Sequence, residues 1–170
     1  MLSVVSQSAD QTRALGAALA RALWPRFADR AVVLALDGEL GAGKTTFVAG
    51  FMRELGVTGS VRSPTYTLIE PYDLHSRSVY HLDLYRLVEP RDLAMLALRD
   101  LLLPGSILLI EWAQRGGQET PAADLALTLR YPSASGDTST REIEMEPRSP
   151  AGKELAAALQ ESTDETTLSS

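Results

Sequence analysis

Cysteine is absent from this 170-residue chain. Without thiols there is no disulfide framework and no thiolate metal centre, and the composition suits a reducing compartment. Lysine is nearly absent too: of 16 basic residues only Lys44 and Lys153 are lysines, and the formal net charge is −6. An acidic chain with scattered arginines is a poor free-standing nucleic-acid binder, because that affinity comes largely from neutralised phosphates. Long apolar runs are also missing; none approaches the roughly 20 residues of a membrane helix. The opening MLSVVSQSADQTRALG lacks the basic start and apolar core of a secretory signal, so the chain reads as cytoplasmic. No internal repeat occurs.

What is present is ordinary in bulk. Hydrophobic residues make up 45% and charged residues 22%, which suits one globular domain large enough to bury a core. That domain is expected over residues 1–160, followed by a disordered polar tail, ESTDETTLSS, over 161–170. SADQTRALGAALARAL predicts a helix, with Ser8 as its cap, Gln11 completing a capping box, and Leu15, Ala18, Leu19, Ala22 and Leu23 on its apolar face. AVVLALDG is a continuous apolar run with a glycine end, the pattern of a strand buried on both faces. KTTFVAGFMREL predicts a helix ending near Gly56. TYTLIEPY and SVYHLDLYRL predict two strands joined by a turn at DLHSR. A helix is expected over EPRDLAMLALRDLLL, with Pro90 near its start, and a buried strand over SILLIEW. Late strands are expected in DLALTLRY and REIEMEP around the loop PSASGDTS, then a last helix over SPAGKELAAALQ. Alternating strands and helices, interrupted by a strand pair, imply a three-layer α/β domain with a mixed parallel and antiparallel sheet.

The chemistry starts at GELGAGKT, Gly38 to Thr45, which matches G-x-x-x-x-G-K-[ST] between a buried strand and a helix. Glycines let backbone N–H groups turn inward around phosphates, and the helix start adds its positive dipole end. Lys44 is expected to reach the β- and γ-phosphates and Thr45 to offer its hydroxyl to Mg²⁺. The chain has no N/T-K-x-D guanine reader and no D-x-x-G motif, which favours ATP by elimination.

Phosphoryl transfer also needs a carboxylate from a strand beside the loop. Glu111 ends the apolar run ILLI, where a carboxylate loses solvation and demands a partner such as Mg²⁺. Asp83, in HLDLYR, is the other candidate, in a supporting or water-activating role. Arg86 either counters phosphate charge or pairs with Asp83, whereas His81 makes a poor Mg²⁺ ligand because that ion prefers oxygen. In SPTYTL, Pro64 holds the chain extended and Thr65 presents a hydroxyl in the chain order of a γ-phosphate sensor.

GELGAGKTTF, SPTYTLIEPY, HLDLYRL and LIEW, in this order and spacing, resemble the bacterial TsaE (YjeE) family. These are the ATPases of tRNA threonylcarbamoyladenosine formation. The resemblance runs from about Ser8 to Trp112 and implies a P-loop NTPase fold. It implies ATP and Mg²⁺ as cofactors, and work with TsaD and TsaB, which place threonylcarbamoyl on adenosine 37 of ANN-decoding tRNAs. By matching position, Gly41, Ala42, Gly43, Lys44, Thr45 and Thr46 would bind phosphates, and Thr45 and Glu111 would hold Mg²⁺. Thr65 and Asp83 would lie near the γ-phosphate, Trp112 beside the nucleotide site, and Thr12 against the nucleotide. Two departures stand out: Ala97 replaces an expected glycine in MLAL, and Ala113 replaces an expected proline after Glu111-Trp112. The alternative reading is a small-molecule P-loop kinase, for which RLVEPRD offers arginines but no clear lid. A non-enzymatic, nucleotide-gated adaptor is a third.

Overall fold

The structure is a computed structural model that describes residues 1–74, 77–132 and 139–167, the last six of these as backbone only. Among the described residues four α-helices and seven strands follow in chain order. They are β1 (Leu2–Ser6), α1 (Ala9–Leu23), β2 (Val32–Gly38), α2 (Lys44–Glu54), β3 (Ile69–Leu74) and β4 (Arg77–Asp83), then α3 (Pro90–Leu93), β5 (Ile107–Glu111), β6 (Leu125–Arg130), β7 (Arg141–Pro147) and α4 (Pro150–Thr167). The strands form one sheet in the order β1-β7-β6-β2-β5-β4-β3. The four central strands, β6, β2, β5 and β4, run parallel, while β1, β7 and β3 pair antiparallel at the flanks. This is the expected mixed sheet of a P-loop fold.

The innermost strands β2 and β5 are apolar up to their carboxyl ends because both faces are covered. Leu34 and Leu36 of β2 face a core built with Leu19 and Leu23 of α1, Phe47 and Phe51 of α2, and Leu155 and Leu159 of α4. Val33 and Ala35 point the other way, into a second cluster with Leu82, Leu93, Leu98, Leu108 and Ile110. The two clusters make three layers. Helices α1 and α2 approach so closely that a Cβ on Gly16 would lie 2.1 Å from the Phe47 carbonyl oxygen. The cap of α1 forms as expected, with the Ser8 side chain accepting from the Gln11 N–H. The Gln11 side chain, however, accepts from Gln7 rather than Ser8, at 2.7 Å.

Three regions depart from the sequence reading. Strand β1 was not anticipated; its short alternating pattern becomes a strand through pairing with β7. Thr65, Tyr66 and Thr67 form a turn, and the strand begins only at Ile69. The helix expected over EPRDLAMLALRDLLL breaks up: α3 is one turn, followed by 3-10 turns at Ala94–Leu96 and Leu98–Leu101 on either side of a left-handed Ala97. The buried side chains Leu93 and Leu98 explain the break. Five residues apart, they would lie about 140° apart around a straight helix; the turn at Ala97 sends both into the same cluster. At the other end, α4 continues to Thr167, because no glycine or proline stops it after Gln160. The middle of the DLHSR turn (75–76), most of the PSASGDTS loop (133–138) and the last three tail residues (168–170) lie outside the described residues. No described helix is long and apolar enough to cross a membrane.

Candidate nucleotide site

The site forms where the parallel strands end. β2 closes at Gly38, whose φ of +142° and lack of a Cβ are both required, since a Cβ there would meet the Leu129 carbonyl oxygen at 2.2 Å. The chain then turns over Gly38 to Gly43 and enters α2 directly at Lys44, with Gly43 left-handed at φ 103°. On β5, Glu111 is the register partner of Leu36 in β2 and of Asp83 in β4. Both expected carboxylates therefore stand at the carboxyl edge of the sheet, beside the loop.

Glu111 is 2% exposed, so its charge needs partners. The Thr45 hydroxyl donates toward both of its oxygens, at 2.9 and 3.0 Å. His81 Nε2 sits 2.9 Å from Glu111 Oε1, and the His81 ring is fully buried. Asp83 accepts hydroxyl hydrogen bonds from Ser63 and from Thr65, the latter at 3.0 Å, and the Tyr85 N–H at 2.9 Å. The turn at Thr65 is thereby fastened to β4. Arg86 does not reach Asp83; its guanidinium stacks 4.4 Å from the Tyr66 ring centre.

Lys44 folds back across the loop. Its Nζ donates to the Gly38 and Glu39 carbonyls at 2.7 and 2.8 Å and lies 3.9 Å from the centre of a Trp112 ring. Burial pushes the ammonium pKa down, and Glu111, Asp83 and Asp37 oppose that shift. Trp112 takes a left-handed backbone and packs against Tyr85, with ring centres 5.1 Å apart. A cavity of about 280 Å³ brings together Gly41, Gly43, Lys44, Thr45, Thr46, Thr65, Asp83, Glu111 and Trp112. Ala42 is buried beneath the loop and does not line it. Thr12 lies on the other flank, in a separate cavity of about 190 Å³ with Gly41, Gly43 and Thr46. Its hydroxyl is engaged with Ser6 and with the Ser8 carbonyl.

Sequence reasoning overlooked the partners of these groups. His81 was weighed only as a metal ligand, and Ser63 and Tyr85 were not singled out. Their signal was the two-residue alternation of HLDLYR and the hydroxyl pair in SPT. Tyr131 and Arg141, which bond the Gly41 and Ala42 carbonyls, carried no motif.

A strand, a glycine-rich turn carrying lysine and threonine at a helix start, and carboxylates on the two neighbouring parallel strands define a P-loop nucleotide-binding protein. The chain belongs to the TsaE family: residues 6–143 match the family described as "Threonylcarbamoyl adenosine biosynthesis protein TsaE". It is 38% identical over 131 residues to the tRNA threonylcarbamoyladenosine biosynthesis protein TsaE of Haemophilus influenzae, covering 77% of this chain and 80% of that one. The TsaE protein of a Nostoc species is 40% identical over 120 residues, covering 68% and 70%. The crystal structure of YdiB from Bacillus subtilis superposes with a TM-score of 0.73 at 29% identity, covering 95% of each chain.

Proposed function

We propose that this chain binds ATP with Mg²⁺ and hydrolyses it as the ATPase subunit of cytoplasmic tRNA threonylcarbamoyladenosine formation. In this reading it supports turnover of TsaD and TsaB, which transfer the threonylcarbamoyl group to adenosine 37 of ANN-decoding tRNAs. Family membership supports the pathway. The observation that carries the chemistry is the Thr45 hydroxyl set 2.9 Å from Glu111 at the start of the phosphate-loop helix.

The donor set fits Mg²⁺. Thr45 and Glu111 offer oxygen only, as a hard cation requires. Among the described residues no cluster of three or more acidic or histidine side chains forms a cage. That suits an ion that keeps several waters and leans on substrate phosphates. Thr45 and Glu111 would hold the ion, which would supply positive charge against the phosphates.

The remaining roles belong to the chain. Backbone N–H groups of the loop from Gly41 to Thr46 would cradle the phosphates, with Lys44 supplying a fixed positive charge. His81 holds the Glu111 carboxylate in place from the protein side. Asp83, with Ser63 and Thr65 bonded to it, lines the same cavity beside Glu111, where its carboxylate would orient a water. Trp112 shields Lys44 from solvent beside the nucleotide. Thr12 would meet the nucleotide on the other flank.

Hydrolysis by the isolated chain is expected to be slow, because among the described residues no arginine lines the cavity to stabilise the transferring phosphoryl group. The test is ATP turnover with and without TsaD and TsaB, for wild type and Glu111→Ala. We expect the partners to accelerate wild type, and Glu111→Ala to lower Mg²⁺-dependent turnover by roughly tenfold or more. Full turnover by the isolated chain, with no response to partners or to Glu111→Ala, would overturn this reading.

A further inference from the structure

The loop at Gly41 and Ala42 is held by two residues of the C-terminal third, where the sequence carries no motif; one of them, Arg141, also lines the small cavity beside Thr12. Arg141, the first residue of β7, donates from Nε to the Ala42 carbonyl at 3.0 Å and from Nη2 to the Gly41 carbonyl at 3.2 Å. Its remaining nitrogen, Nη1, bonds the Thr140 carbonyl at 2.8 Å. The Tyr131 hydroxyl, just past the end of β6, donates to the same Gly41 carbonyl at 3.0 Å. The guanidinium also stacks over the Tyr131 ring, 4.0 Å from its centre. Three donors thus converge on two consecutive carbonyls of the loop, and the stacking locks the donors to each other.

A peptide unit points its N–H and C=O in opposite directions. A phosphate loop works only when its N–H groups face inward, so its carbonyls must face out. Outward carbonyls crowd partial negative charge on the back of the loop, beside the place where phosphates would add more. Glycine at 41 and 43, both at positive φ, makes the loop free to flip. We propose that Arg141 and Tyr131 form a strap that fixes the Gly41 and Ala42 carbonyls outward and so keeps the loop in its phosphate-accepting shape. Both are positioning residues of the nucleotide site, acting through the loop. The inference rests on the nucleotide-binding reading above.

The strap acts on the phosphate cradle, so it supports any ligand with linked phosphates, with or without a nucleoside. The experiment measures dissociation constants of ADP and of inorganic tripolyphosphate, both with Mg²⁺, for wild type, Arg141→Ala, Arg141→Lys and Tyr131→Phe. Far-ultraviolet circular dichroism and melting check that each variant is folded. Loss of charged hydrogen bonds predicts roughly tenfold weaker binding of both ligands for Arg141→Ala. Arg141→Lys, which restores the charge on one nitrogen without the planar fork, should recover part of that loss. Tyr131→Phe keeps the stacked ring and should weaken both ligands by a few-fold; it carries the test alone if Arg141→Ala does not fold. Weakened ADP with unchanged tripolyphosphate would overturn the strap, because Arg141 would then be touching the nucleoside. Unchanged binding of both ligands by folded variants would overturn it as well. A wild type that bound neither would instead bring down the nucleotide-binding reading.

Discussion

Asp37, the penultimate residue of β2, stands one residue before the phosphate loop, half-buried, and its Oδ1 has no hydrogen-bond partner among the described residues. Burial raises its carboxyl pKa, opposed by the Gln114 N–H, the Arg148 charge, the Ala113 N–H and Lys44. A proline at position 113 would remove one of these opposing dipoles, because proline has no N–H. Ala113 therefore suits a chain that carries a carboxylate at position 37. The raised pKa has a definite sign. Unfolded, the group ionises near 3.8; folded, it keeps its proton to higher pH. Across that window the native state holds the extra proton, so its contribution to stability falls as pH rises. Asp37→Asn is expected to be more stable than wild type at neutral pH, with the difference shrinking toward nothing as pH drops below 3.8. Denaturant unfolding of both proteins across pH checks this; a difference independent of pH would count against it.

Among the elements, the segment after β4 shows where pattern and structure part. EPRDLAMLALRDLLL has the leucine spacing of a helix, yet it carries a left-handed Ala97 at φ 45° between two 3-10 turns. A side chain at positive φ costs about 1–2 kcal/mol, which glycine avoids while surrendering part of that gain as unfolded-state entropy. Ala97 is exposed, so no packing is lost on its removal. Ala97→Gly should stabilise the protein by about 1 kcal/mol, a rise of roughly 2–4 °C in melting temperature. An unchanged or lower melting temperature would show that Ala97 is not strained. The phosphate loop was readable because its residues are contiguous and its flanking strand and helix have strong local patterns. Glu111 was readable because a carboxylate ending an apolar strand is costly. The broken helix was not readable, because the demand that Leu93 and Leu98 share one cluster is tertiary. Arg141 was not readable either, since its partner Ala42 lies 99 residues away.

For the molecule as a whole, 22 acidic residues outnumber 16 basic ones, and many arginines already sit against carboxylates. Arg13 meets Asp10 at 2.6 Å, Arg21 meets Glu54 at 2.8 Å, and Arg148 meets Glu146 at 3.0 Å. Such exposed pairs add little stability, but they reduce the positive field available to a polyanion. The isolated chain should therefore show no measurable tRNA binding at about 0.15 M salt, where affinity depends on neutralised phosphates. A mobility-shift titration with tRNA checks this, and a salt-sensitive shift at micromolar protein would contradict it. The placement of the two carboxylates reaches further. Asp83 and Glu111 face each other only because β4 and β5 pair in one register. A slip of one residue would turn His81 and Asp83 to the opposite face, away from Glu111 and the loop. A mispaired sheet would thus lose the site along with its core, so each working copy of the site certifies that its sheet was assembled in the right register.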